Sequence, residues 1–201
     1  MKVPKFLLFN FFTKETLYGF NSMTIFGRRL NSMSTDFSFI LTISFPFFAL
    51  LFIPAIFEIP DIGVGMDTFT LIFLIPYSIV EFLLLNKDIF SARSVAKRQY
   101  GYQIVSLKTN EPASELQCVI RNSTGVIWPV EVLVTMFSPT RRLGDLLAGT
   151  KLIDKEKEDP EQIMDEINRE WKIQDKWKVI WTTILITIIF DLFSLVPILL
   201  N

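Results

Sequence analysis

A handful of charged residues lie inside or at the edge of long apolar runs, and they are the residues of this chain best placed to do chemistry. Arg29 and Asp36 precede an uncharged stretch, Phe37 to Phe57; Glu81 interrupts a second, Thr68 to Leu85; Asp191 lies near the middle of a third, Val179 to Leu200. A fourth stretch, Leu116 to Phe137, carries Arg121, Asn122 and Glu131 and is followed by Arg141, Arg142 and Asp145. A bare charge at the centre of a bilayer costs on the order of 3 kcal/mol on insertion scales, so each needs an opposite charge, a watery cavity or a route to the headgroups. Two chemistries suit such residues: ion pairing that locks helices together, and reversible uptake of a proton or monovalent cation by a desolvated carboxylate. Arg29 and Asp36 are seven residues apart, so on a helix they share a face but stand roughly 10 Å apart along the axis, too far to pair directly. Asp36 is therefore expected to pair with Arg121, and Arg29 with Asp145 at the cytoplasmic surface, where Arg141 and Arg142 compete for the same carboxylate. Glu81, near the end of its run, reads most simply as a snorkelling side chain. Asp191 lies deeper, and both a functional and a bland reading stay open.

Composition removes most other chemistry. The 201 residues include no His and one Cys, which excludes Cys/His zinc ligation, a Ser-His-Asp triad, a Cys-His dyad and an intrachain disulfide. Lys and Arg number 20 against 21 Asp and Glu, for a formal net charge of −1, so no basic excess is available to hold a nucleic acid backbone. Half the residues are hydrophobic, 20 are Phe, and only 20% are charged, below the roughly 25% of soluble proteins. No Gly-rich phosphate loop and no nucleophile–base pair occurs in the apolar runs. An enzyme, a metal site and an organic cofactor are not expected.

The elements that must position these charges are membrane segments. About 20 apolar helical residues cross a hydrocarbon core of roughly 30 Å, so 37–57, 68–85 and 179–200 read as spans, with Pro46, Pro54 and Pro76 as sites of bending. No Lys or Arg lies between Asp36 and Leu85; the positive-inside rule then places the N-terminus and the loop after Leu85 in the cytoplasm. Nine basic residues follow between Arg141 and Lys178, which argues that Leu116 to Phe137 re-enters or lies at the interface instead of crossing. Residues 1–26 read as an interfacial amphipathic lead-in, not a cleaved signal peptide. Asp154 to Lys178 interleaves acids and bases, with Asp159-Pro160 as an N-cap pair and Ile163, Ile167 and Trp171 on one face, which reads as a charged cytosolic helix. Asn122-Ser123-Thr124 fits a glycosylation acceptor only on paper, and Cys118 reads as an inert small hydrophobe.

An Arg before the first span, an Asp seven residues on, and Arg141-Arg142-Leu143-Gly144-Asp145-Leu146-Leu147-Ala148-Gly149-Thr150 resemble the bacterial RDD family, named for one Arg and two Asp. Arg29, Asp36 and Asp145 match those positions, and Ala96-Lys97-Arg98 through Gly101 to Val105 is similar to the stretch after the family's second helix. The resemblance covers Gly27 to Ile153, with Asp154 onward expected to lie beyond it. It implies an all-α polytopic helical protein of the cytoplasmic (inner) membrane, with three to four embedded segments and a cytosolic amphipathic helix. The expected divisions are 1–26, 27–153, 154–178 and 179–201. Some family members are thought to exchange sodium for protons. Three readings compete: an ion or small-solute transporter using Asp36 with Glu81 or Asp191; an accessory or assembly subunit in which Arg29, Asp36, Arg121, Arg142 and Asp145 form a structural lock; and an intramembrane enzyme. The partners expected are the lipid bilayer, a proton or monovalent cation, and further copies of the chain or other membrane subunits.

Overall fold

The computed structural model describes residues 25–56, 66–138, 141–159 and 176–199. The lead-in, the loop with only acidic charges between the first two runs, and most of the charged cytosolic helix lie outside the described residues.

Three long helices cover the three apolar runs: α1 (Ile25–Ile56), α2 (Met66–Asn86) and, last in the chain, α7 (Lys176–Leu199). Helix α1, at 32 residues, is about 48 Å long, so its first turns, with Arg28, Arg29 and Asp36, extend beyond what a hydrocarbon core requires. Its start meets the end of α2. Helices α2 and α7 run antiparallel, because Thr183 lies beside Asn86 and Asp191 beside Ser78. Among the described residues, Lys176–Val196 is long and apolar enough by length and composition to cross a membrane.

Between α2 and α7 the chain builds a compact cap. A 3-10 turn at Phe90–Ala92 leads to α3 (Val95–Tyr100), whose N-cap Ser94 accepts from the Lys97 amide. Strand β1 (Tyr102–Ser106) follows, then α4 (Glu115–Asn122), opened by a Ser114/Gln117 capping box. A 3-10 turn at Ser123–Ile127 separates α4 from α5 (Trp128–Phe137), and α6 (Leu143–Ala148) precedes strand β2 (Thr150–Asp154). Leu116 to Phe137 therefore forms two short helices, of 8 and 10 residues, each at most about 15 Å long and half of what a crossing needs.

The expected all-α class needs one correction. β1 and β2 pair antiparallel, from Tyr102 opposite Asp154 to Ser106 opposite Thr150. The physical cause lies in the preceding glycines. Gly101 and Gly149 adopt left-handed backbone at φ 72° and 64° and end α3 and α6, which turns both chains out of helix and into strand. A Cβ at Gly101 would also meet the Lys155 carbonyl oxygen at 2.7 Å.

Inside and outside are inverted relative to a water-soluble protein. Phe45, Leu185, Leu192 and Phe193 on the long helices are exposed, while Arg29, Asp36, Asp88, Lys97, Arg121, Glu131, Arg142 and Asp145 are buried. That distribution suits an apolar solvent around the helices. Among the described residues, buried apolar side chains gather in two small clusters, one around Ala96, Tyr102, Ile104 and Cys118 beneath the sheet, the other joining Leu85, Ile89, Val119 and Val179. Cys118 is fully buried, and burial pushes its thiol well above the ordinary range.

Candidate functional site: a buried charge network

Helices α1, α3, α4, α5 and α6 and the turn after α2 converge near the N-terminal end of α1, each bringing charge. Asp145, on the first turn of α6, accepts from Arg121 Nε at 2.5 Å, the Arg142 amide at 3.1 Å and Thr150 Oγ1 at 2.8 Å, with Arg29 Nη2 at 3.4 Å. Arg121, on α4, also reaches Asp88 Oδ2 at 3.2 Å, and Asp88 Oδ1 accepts from Lys97 Nζ at 2.7 Å. Lys97 in turn donates to Asp36 Oδ2 at 3.2 Å, and Asp36 accepts from Ser94 Oγ at 2.8 Å and the Ala96 amide at 3.3 Å. Lys87 stands 3.6 Å from the same Asp36 oxygen. On the other flank Arg142 pairs with Glu131 at 2.8 Å and donates to the Asn122 side chain at 2.9 Å, while Glu131 also accepts from Thr124 and the Gly144 amide.

The electrostatics follow from this alternation. Burial works against the Asp145 charge, but Arg121 and Arg142 overcome it and hold the carboxyl well below the usual range. Asp88 behaves likewise, with Lys97, Arg121 and Lys87 outweighing desolvation. For Arg121 the order reverses: burial lowers its pKa, and Asp145 and Asp88 more than restore it, leaving it above the ordinary value. Arg29 is brought down to about 10 by burial and by Arg121, against the pull of Asp145. Lys87 falls to about 8 because burial outweighs Asp36.

Close packing makes the network possible. A Cβ on Gly144 would collide with the Arg121 carbonyl oxygen, so α6 can lie against α4 only because that position is glycine. Gly149 has open space around its Cβ position; its role is the left-handed turn into β2.

The sequence-predicted residues divide. Arg29 does face Asp145, but as the weaker of two arginines. Asp36 does not pair with Arg121: its cations are Lys97 and Lys87, and Arg121 belongs to Asp145 and Asp88. Arg142 competes for Asp145 through its backbone, with its guanidinium committed to Glu131. Lys87 and Asp88 are not among the sequence-predicted residues, and for Lys97 and Glu131 the sequence offers no partner. Asp88 and Lys87 directly follow the second apolar run, and Glu131 is an acid inside the fourth, which are the signals that point to them.

Glu81 and Asp191 lie apart from this network. Glu81 does not snorkel; at 4% exposure it is buried, and its polar neighbour on α2 is the Tyr77 hydroxyl. Tyr77 and Asp191 are the polar groups facing it. Asp191 accepts from Ser78 at 2.8 Å through one oxygen, while its other oxygen is buried without a hydrogen bond. No group of His, Cys, Asp and Glu able to hold a metal occurs among the described residues.

The family model described as the RDD family matches residues 24–197. The match runs through α7, so the region shared with the family does not stop at Ile153 as the motif comparison indicates. No curated protein and no solved structure is significantly similar to the chain. The chain belongs to the RDD family and is a membrane protein.

Proposed function

We propose that this RDD family member exchanges a monovalent cation for a proton across the bacterial cytoplasmic membrane, as an oligomer, with Glu81 and Asp191 as the exchanging carboxylates. The observation that carries this reading is the Glu81 carboxylate, buried on α2 with Tyr77 and a second acid, Asp191 of α7, facing it and no cation beside it among the described residues. The cost of a bare charge there falls away when the group takes up a proton or a monovalent cation, which is the binding and release that exchange needs. Asp36, the first candidate from sequence, is saturated by Ser94, Lys97, Lys87 and a backbone amide. In this reading the family's Arg and Asp residues hold the helices in place and transport passes elsewhere. The three long helices span, the N-terminus is cytoplasmic, and α4 and α5 lie at the inner face without crossing.

The experiment is cation-dependent proton flux in proteoliposomes of purified protein. Glu81→Gln abolishes flux at normal protein yield, and Asp191→Asn reduces it. Asp36→Asn lowers yield but leaves flux per folded molecule. A second reading, a non-transporting accessory or assembly subunit, is favoured by the complete internal pairing of Arg121, Asp88, Asp145 and Asp36. Absence of wild-type flux with every monovalent cation decides for it.

A further inference from the structure

Within the charge network lies a small, partly open cavity of about 10 Å³, lined by Arg29, Lys87, Lys97, Arg121 and Arg142 together with Ser32 and apolar groups. We propose that this cavity binds one monatomic anion of halide size, chloride under ordinary conditions, which completes the charge balance of the network.

Four observations carry the assignment. Five cationic side chains line the cavity, whereas the carboxylates paired with them are four: Asp36, Asp88, Glu131 and Asp145. Among the described residues one positive charge is left over in a buried place, where an uncompensated charge is costly. Second, Arg29 is 2% exposed, yet its Nη1 has no hydrogen-bond partner among the described residues, and Arg142 Nε is buried in the same state. Unsatisfied guanidinium donors beside a void ask for an acceptor. Third, Lys87 has its carboxylate oxygen only at 3.6 Å, beyond hydrogen-bond reach. Fourth, the space between these cations is small, which suits a single small ion better than sulfate, phosphate or a lipid headgroup. Water would satisfy a donor but leave the surplus charge in place, so charge selects the anion. This site is separate from Glu81 and Asp191 and does not depend on transport by them.

The test uses the full-length protein purified in neutral detergent and equilibrated in gluconate. Chloride or bromide is exchanged for gluconate at constant ionic strength while the unfolding midpoint and the chlorine NMR line width are followed. The halides raise the midpoint by several degrees along a saturable curve, sulfate does not, and bromide abolishes the excess chlorine line width. Arg29→Gln loses both responses, and Arg28→Gln, whose guanidinium points instead to Tyr102 and Asp154, keeps both. Should Arg29→Gln fail to fold, Lys87→Met carries the same comparison, because it removes the surplus cation while Asp36 keeps Ser94 and Lys97. Indistinguishable behaviour in halide and gluconate overturns the site, as does a halide response that survives in Arg29→Gln or Lys87→Met.

Discussion

Removing Arg121 perturbs the network at its most connected point. The guanidinium is buried and serves two carboxylates, Asp145 at 2.5 Å and Asp88 at 3.2 Å, so Arg121→Gln leaves two buried acids short of a partner. Breaking one buried pair by deleting one side costs about 3–5 kcal/mol; Lys97 keeps Asp88 partly compensated, which holds the total near that range and does not double it. For a chain of this length each kcal/mol lowers the unfolding midpoint by about 2–4 °C, so a fall of roughly 10 °C is expected. Intrinsic tryptophan fluorescence in detergent micelles reads it. Asp145→Asn in the Arg121→Gln background costs far less than alone, with a coupling of about 1–3 kcal/mol. The pH dependence carries a sign as well. Asp145 and Asp88 are held below their unfolded values, so they contribute stability above about pH 4 that is lost as pH falls toward their folded values. Without Arg121 that acid-side loss shrinks. A cost for Arg121→Gln below about 1 kcal/mol, the size of an exposed pair, or strict additivity with Asp145→Asn, refutes the arrangement.

Further outcomes follow from single positions. Gly144→Ala drives a methyl into the Arg121 carbonyl and is expected to cost more than about 3 kcal/mol, seen as loss of purified folded protein, whereas Gly149→Ala costs about 1–2 kcal/mol for its left-handed backbone alone. Lys87 titrates near pH 8 in the folded protein, below the unfolded value of about 10.4; the unfolded chain binds more protons in that window, so stability rises with pH between those values. Lys87→Met removes that rise, and a wild-type midpoint flat across the window contradicts it. In a Cys118→Ser background a cysteine at Glu156, exposed after β2, reacts with impermeant maleimide only after permeabilisation, whereas one at Asp61 reacts in intact cells; labelling of both from outside reverses the orientation of the cap.

Apolar length made the long helices legible, because a run of about 20 uncharged residues has few alternatives to helix. The site was legible in part. Arg29 and Asp145 could be matched because both border apolar segments and both lie in a recognisable motif. The partners of Asp36 are hidden because Lys87, Asp88 and Lys97 lie in the polar stretch after α2, where sequence alone gives a charge no need of compensation, whereas Arg121 stands inside an apolar run. The 3-10 turn after α2, with Ser91 and Ala92 at positive φ, folds that stretch back beneath α1 and buries it, a reversal no periodicity announces. The sheet was missed for a related reason: two five-residue strands are too short for alternation to show, and their glycines read equally well as helix ends.

The alternation of sign explains why these elements are fastened as a unit. From Lys87 the contacts run through Asp36, Lys97, Asp88 and Arg121 to Asp145, touching α1, α3, α4, α6 and the end of α2. In a low-dielectric setting each charge is tolerable only while its neighbours on both sides remain, so no one of these elements can leave without exposing the next. Helix α7 is attached differently, through the Asn86–Thr183 and Ser78–Asp191 hydrogen bonds and the apolar contact of Val179 with Leu85 and Val119. Under the proposed exchange, opening the α2–α7 seam to uncover Glu81 and Asp191 would leave the charge network intact. A lock on one side of α2 and a seam on the other would then place rigidity and proton uptake on different faces of the same helix.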